Sequence, residues 1–581
     1  MISPGIRLIS RPLAILSLLL LAGHQVNIPA YIVLLFAVEA VLTIIAVRIW
    51  VVRLMQHIKA RNAGARLVPT ACARWPGNLD ILTNLRREWN ASYPFEVLRK
   101  LLATSDTNVL NLRIGWGDYV FTTEPEYIKL VLATDFANYV KGDALRGYMG
   151  SVLGTGVFNS DGDMWKFHRA ATRPFFNRDR ISDFEIFARH ADRAIERMKE
   201  RMRNGYAVDF QDLASRFTMD SATSFLFGSC VDSLAAPLPY PPTSTAPFPF
   251  PLPAPDRADV FTSAYNTAIN AISSRSRFGW IWPLFEMRQD ATRGPMAVVD
   301  EYLEPIIAEG VKRKNVLGVD GGKKEEPETL LDELLNLMED PKVLKDEMLN
   351  ILLAGRDTTM SVLTFVVYFL SVYPAVFTRL RAEILERVGG ERSPTYEDIR
   401  EMRYLRAVIN ETMRLYPPVP SNLRESVNAT TWPSTDPSQP PLYIPAGTKI
   451  SYSVFLMHRR TDLWGPTAEE FDPDRFLDDR LRRYLLANPF CFLPFNAGPR
   501  VCLGQQFAYN EVSFMLIRLL QAFSSTALDV DACPPHARVP SEWKDGHGRM
   551  AMERFRPRLH LTMSSEGGLW VKMTESKEGE V

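Results

Sequence analysis

A mainly α-helical protein with small β-sheets, carried behind one or two membrane-spanning helices, is the fold class that these 581 residues predict. Three observations carry that expectation. A helical region dominates from about Asp161 to Tyr416. The stretch Val109 to Thr122 alternates like paired strands. A nearly unbroken apolar run lies close to the amino terminus. Length alone would allow three or four domains at about 150 residues each. No repeat or clear linker divides the chain after about residue 67, so one large domain over 67–581 is expected behind an anchor and basic linker over 1–66.

Within the anchor, Ile28 to Val47 is apolar apart from Glu39 and Thr43, and matches the ~20 residues a spanning helix needs. Arg48, Arg53, Lys59, Arg61 and Arg66 follow, a cluster that the positive-inside rule keeps in the cytosol together with everything after it. The earlier run Leu13 to Ala22 is too short to span unless Pro12 to Ile28 is used; with Arg7 and Arg11 ahead of it, that choice makes a hairpin with both ends cytosolic. A cleaved signal peptide is the alternative for this first run. The sequons at Asn90, Asn410 and Asn428 would matter only in a lumen and are read as accidental.

Composition narrows the function. The chain has 67 basic and 67 acidic residues and no basic block interleaved with aromatics, which argues against a nucleic-acid partner. Its five cysteines are widely spaced and form no CxxC pair, which argues against a disulfide framework or a zinc site.

Along the soluble part, Glu124-Pro125 opens a short helix. Residues Ala235 to Asp256 carry nine prolines, too many missing amide donors for a packed helix or a central strand; a polyproline-like surface insertion is expected. Asn315 to Glu328, rich in Gly, Lys and Glu, reads as a second solvated loop. The apolar helix from about Asp346 to Tyr373 contains Ala354-Gly355-Arg356-Asp357-Thr358-Thr359, where an acid beside an alcohol is costly to bury. Gly355 would let that helix open, with Thr358 and Asp357 moving protons. The competing reading has Thr358 bonded back to its own helix and Asp357 paired with Arg356. Glu411 and Arg414, three residues apart, share one helix face.

The strongest signal is Phe495-Asn-Ala-Gly498-Pro-Arg500-Val-Cys502-Leu-Gly504. Gly498 and Gly504 allow the backbone to pass close beneath a flat group where a Cβ would collide, and nearby amides can bond a sulfur. Arg500 offers a fork for a carboxylate and Phe495 an apolar lid. Gln505 to Phe523 follows at helical spacing, so a helix amino terminus would face a thiolate. A haem iron bound by the Cys502 thiolate is the chemistry that fits, against the plainer alternative of a structural cysteine in a Gly-rich turn.

These residues resemble the haem-binding signature Phe-x-x-Gly-x-Arg-x-Cys-x-Gly of the cytochrome P-450 superfamily. The resemblance extends over nearly all the chain after its amino-terminal segment. It implies the superfamily's fold, with haem b as cofactor, Cys502 as the axial iron ligand and Gly504 in the cofactor loop. It makes Asp357 and Thr358 the acid and alcohol of proton delivery, and adds Trp165, Arg169 and Arg424 as partners of the haem propionates. Glu411, Arg414 and Arg475 become structural support for the cysteine loop.

Dioxygen as co-substrate is implied, with electrons from NADPH, because the chain carries no dinucleotide fingerprint of its own. The expected donor is a separate diflavin NADPH-cytochrome reductase, with a b-type cytochrome as a second candidate, at an endoplasmic reticulum membrane with the catalytic domain in the cytosol. Asp220 to Gly228 and Asn350 to Thr359 resemble fungal alkane and fatty-acid hydroxylases. Long-chain alkanes or fatty acids are therefore the expected substrates, walled by Met360, Val419 and the helix Asp259 to Arg277. A broad xenobiotic and polycyclic-aromatic monooxygenase is the runner-up; a haem-thiolate isomerase or a non-catalytic haem protein is the weaker alternative.

Overall fold

The computed structural model describes residues 3–176, 184–244, 257–319, 329–338 and 340–577. Two helices form its amino-terminal end, α1 (Pro4–Gln25) and α2 (Ala30–Asn62). Both are long and apolar enough to cross a membrane, and almost none of their apolar windows is buried. The break between them falls inside the expected second span 12–28, because Asn27 takes a positive φ of 54° and Pro29 follows at the N-cap of α2. Helix α1 begins earlier than expected and continues through Pro12. Helix α2 runs past Val47 and carries Arg48, Arg53, Lys59 and Arg61 on the same rod.

A five-stranded sheet contains β1 (Val109–Asn111), β2 (Tyr119–Thr122), β3 (Tyr139–Val140), β4 (Ser421–Ser426) and β5 (Lys449–Ser453), in the order β1-β2-β5-β4-β3. The alternation over Val109–Thr122 is an antiparallel pair, with Val109 opposite Thr122. Strand β5 lies parallel to β2 and antiparallel to β4. Smaller sheets complete a mostly helical protein.

The helices that shape the centre are α3 (Gly142–Leu153), α4 (Gly162–Thr172), α5 (Phe210–Phe227), α6 (Arg257–Phe278), α7 (Pro341–Val372), α8 (Arg403–Leu415) and α9 (Gln505–Ala522). Helix α7 also has the length and composition of a membrane span, yet 72% of its apolar window is buried, so it is the core rod and not a third crossing. It starts on Asp340, whose side chain accepts from the Lys342 amide, with Pro341 at its first position. It stays α-helical through Gly355, which corrects the expectation that the helix opens there. At its crossing with α5, an added Cβ on Gly355 would meet Ala222 at 3.9 Å, an ordinary van der Waals contact.

The start of the Pro-rich insertion packs on the helix Glu185–Arg203: Arg201 donates to Leu238 and Pro239 carbonyls and lies over the Tyr240 ring at 3.5 Å. The rest of it, 245–256, lies outside the described residues. Residues 315–319 belong to the helix Arg293–Val319 instead of a loop, and 320–328 lie outside the described residues.

Candidate functional site

Between α7 and the loop before α9 lies a cavity of about 1570 Å³ counted out to its mouth. Much of that volume is open solvent; the room for water-sized molecules is about 260 Å³, just under the ~300–1000 Å³ of ordinary ligand pockets. Cys502, Gly504, Phe495, Arg500, Arg169 and Thr358 all line it. Trp165, Arg424 and Asp357 are not part of its lining. Val419 lines it too, whereas Met360 and α6 do not. Helix α6 packs over the first half of α7 instead, with the Tyr265 hydroxyl reaching the Leu349 carbonyl at 3.5 Å.

The cysteine loop is held by its own backbone. The Cys502 amide donates to the Phe495 carbonyl at 3.0 Å and the Val501 amide to Gly498. Gly498 has φ +68°, and a Cβ there would strike the Leu132 carbonyl oxygen. Its glycine is thus required by the neighbouring chain and not by a group above it. Gly504 has φ −82° and only ordinary contact room at 3.6 Å to Phe176, so its smallness serves the cavity wall. Burial pushes the Cys502 thiol up, while the Gly504 amide and the Arg169 charge pull it down toward a thiolate. Cys491 is buried away from this cavity, and burial pushes its thiol up to about 12.

Beside the loop the charges are unbalanced. Arg500 donates to Asp161 at 2.8 Å and to the Ser160 carbonyl at 3.0 Å, and its guanidinium lies 4.5 Å from the Trp165 ring. Trp165 and Arg500 are thus packed against each other. Arg169 donates to the Val501 carbonyl at 2.8 Å. Arg424, 1% exposed, donates to Asn422 and to the Leu423 carbonyl, both at 2.8 Å. Lys141 Nζ donates to the same Asn422 side chain at 3.1 Å.

Burial, then Arg424 and Arg500, hold the Lys141 ammonium well below its usual value, with Asp161 opposing. Burial, then Arg424, lower Arg500 to about 10; Asp161 again opposes and Arg169 adds to the lowering. Asp161 is also occupied by Arg146 at 2.5 Å and by the Lys141 and Gly142 amides. The Nε atoms of Arg424 and Arg500 are buried without a hydrogen bond. Lys141, Arg169, Arg424 and Arg500 gather beside Asp161, whose carboxylate Arg146 also shares, and a bound dianion would offset this surplus of positive charge. A dianionic planar group with its metal at Cys502 fits this donor set, so haem fits. Lys141 and Asn422 had no short-range signal in the sequence; they reach the site through the chain's long-range folding.

On the opposite wall, the Thr358 hydroxyl donates to the Ala354 carbonyl at 2.6 Å, and Arg356 holds Asp357 at 3.0 Å. Both features of the competing reading are thus present, yet Thr358 still faces the cavity. Burial pushes the Asp357 carboxyl up, with Arg356 opposing.

One ionisable group that sequence reasoning missed is Glu511 on α9, 1% exposed. Thr359 and Ser221 hydroxyls face it, but neither of its oxygens has a well-formed hydrogen bond. Burial pushes it up to about 8. The folded protein then binds a proton that the unfolded chain releases near pH 4.5, so stability falls as pH rises from there toward 8. Glu511→Gln is expected to remove this loss, roughly 3 to 5 kcal/mol at full ionisation. Thermal unfolding of variant and parent should therefore diverge more at pH 8 than at pH 5; equal differences at both would defeat the assignment.

The comparisons agree with the chemistry of this cavity. The family model Cytochrome P450 matches residues 84–539. Similar curated proteins include Cytochrome P450 monooxygenase himC of Aspergillus japonicus, 34% identical over 82% of this chain and 78% of the relative. Cytochrome P450 52-M1 of Starmerella bombicola is 34% identical over 71% of this chain and 76% of its own length. Cytochrome P450 52E1 of Candida apicola is 35% identical over 78% and 81%. A cysteine loop facing a threonine across one cavity, beside a buried surplus of cations, is thus found in a chain that belongs to the cytochrome P450 family.

Proposed function

We propose that this monooxygenase is membrane-anchored through residues 1–66 and uses its domain 67–581 to hydroxylate long-chain alkanes or fatty acids. Haem b, when bound, supplies the one-electron and dioxygen chemistry. Cys502 would ligate its iron, and the cations Arg169, Arg500, Arg424 and Lys141 would neutralise its carboxylates. Trp165 holds Arg500 in place, while Phe495 covers the loop.

The chain's remaining work is to exclude water and deliver protons. Val157, Ile351, Val362, Met413 and Val419 give the cavity an apolar wall suited to hydrocarbon. The Thr358 hydroxyl, already donating to Ala354, keeps its lone pairs for a water in the cavity. Asp357 passes a proton inward once it turns from Arg356, and burial, with Arg356 opposing, raises its carboxyl pKa.

Electrons from NADPH arrive through a separate diflavin reductase, or a b-type cytochrome, at the cytosolic face of the endoplasmic reticulum. The observation that carries the reading is the shared cavity of Cys502 and Thr358. The alkane and fatty-acid choice is supported by the apolar wall, the apolar helices α1 and α2, and the resemblance in Asp220–Gly228 and Asn350–Thr359.

The test compares a fatty acid, an alkane and a polycyclic aromatic in recombinant membranes with reductase and NADPH. Terminal hydroxylation confined to the two aliphatic substrates is expected; oxidation of all three establishes the broad xenobiotic reading instead. In the same assay Thr358→Ala should keep haem but divert NADPH into peroxide. Unchanged product per NADPH would remove Thr358 from proton delivery.

A further inference from the structure

Helix α1 exposes most of its apolar side chains, with Leu18 at 66% and Leu21 at 62%, yet its first residues are buried. Ser3 is 6% exposed. Its hydroxyl donates to the Met287 carbonyl at 2.5 Å while accepting from the Ile6 amide, so one side chain both caps α1 and ties it to the domain. The Gly5 amide donates to the Glu286 carbonyl at 3.4 Å. No side chain fits at Gly5: an added Cβ would strike Met287 Sδ and come within 2.6 Å of the Pro283 carbonyl oxygen.

The partner of this contact is the connection that follows α6, a 3-10 segment Gly279–Phe285 continued by Glu286 and Met287. Glu286 is itself clamped. Both its oxygens accept from Arg275 at 2.7 Å, and Arg275, 2% exposed, also donates to Ser151 on α3 at 2.7 Å. The tip of α1 is therefore linked through Glu286 and Arg275 to α6 and α3.

The other end of the anchor enters the domain separately. Gln56 on α2 donates to Asp118 at 2.5 Å and Ala60 is 3% exposed. At the far turn, Gly23 packs against Val33 so closely that a Cβ would collide, and the Ile28 amide donates to Gly23. Two antiparallel helices thus leave and rejoin the domain on one side, and the exposed Trp280, Leu284 and Phe285 lie beside the point where α1 starts. Tryptophan and phenylalanine at that level suit a membrane interface.

We propose that Ser3–Gly5 is a latch: the chain crosses the membrane twice, and its amino-terminal tip fastens onto Pro283–Met287, fixing the α6 connection to the anchor. The proposal rests on the reading of α1 and α2 as membrane spans, and it assigns the first crossing a role that a single-pass anchor could not fill. Losing the latch frees the α6 connection without touching the residues that line the cavity.

The experiment uses the full chain in sealed microsomes with an epitope tag ahead of Met1. Protease added outside should remove the tag together with the catalytic domain's exposed sites. A tag protected until detergent is added places the amino terminus in the lumen and overturns the latch while leaving the anchor intact. Release of the chain by alkaline carbonate would overturn the anchor reading itself, and the latch with it. In parallel, Gly5→Leu and a chain lacking residues 1–27 should each be cut by trypsin after the exposed Arg288 roughly threefold or more faster than the parent. Parental cleavage rates in both variants would also overturn it.

Discussion

Cys502→Ser is expected to yield a folded protein that has lost the absorption band of a thiolate-bound haem in its reduced, carbon-monoxide-treated form. Monooxygenase activity should fall with it by at least roughly 100-fold. Folding should survive because the side chain faces the cavity, while the backbone amide that ties the loop to Phe495 is unaffected by the substitution. The serine hydroxyl cannot replace the sulfur, since it is far less acidic and a weaker electron donor. No other thiol can take over. Cys491 lies outside the cavity among Trp464 and Phe476, with its thiol pushed up to about 12, and Cys72, Cys230 and Cys533 do not line the cavity either. Retention of the thiolate band in Cys502→Ser would therefore contradict both the ligand assignment and the cavity that frames it.

The features legible in the sequence are those that depend on short spacing. The apolar runs near the amino terminus, the strand pair ending at Thr122 and the loop at Cys502 are each contained within a few turns of chain, where periodicity and residue type report directly on structure. The departures arise where a distant neighbour decides. Gly498 is glycine because the Leu132 carbonyl occupies the space a Cβ would need, a contact across more than three hundred residues. Trp165 meets Arg500, whose guanidinium lies over its ring at 4.5 Å. Lys141 joins Arg424 through Asn422, and Glu511 meets Thr359 where α9 crosses α7. None of these pairs has a spacing that a sequence window could register. The two apolar runs are separable in the sequence, but the exact place of the turn is not, because the mostly polar stretch from His24 to Asn27 marks no single position for it.

The second large effect is expected far from the cavity, at Glu411. This carboxylate is completely buried and accepts from Arg414 twice, at 2.7 and 2.8 Å, from Arg475 at 3.4 Å and from the Asp472 amide at 2.9 Å. Arg414 spends its remaining donors on the carbonyls of His458, Ala468 and Glu470. His458 carries the effect onward. Its Nε2 accepts from the Leu493 amide at 3.0 Å, which leaves Nδ1 to donate to the Arg414 carbonyl at 3.1 Å, and burial lowers the ring to about 3 so that it stays neutral. Leu493 lines the cavity two residues before Phe495. Removing the charge at Glu411 leaves two buried guanidinium groups without a counter-ion, a loss of about 3 to 5 kcal/mol. Glu411→Gln should therefore unfold at a clearly lower temperature and be purified with little haem, because the chain of bonds that sets Leu493 starts from the ion pair. Glu411→Asp, which keeps the charge on a shorter arm, should recover part of both. Haem content at the level of the parent in Glu411→Gln, even with reduced thermal stability, would show that the cysteine loop is set without this network.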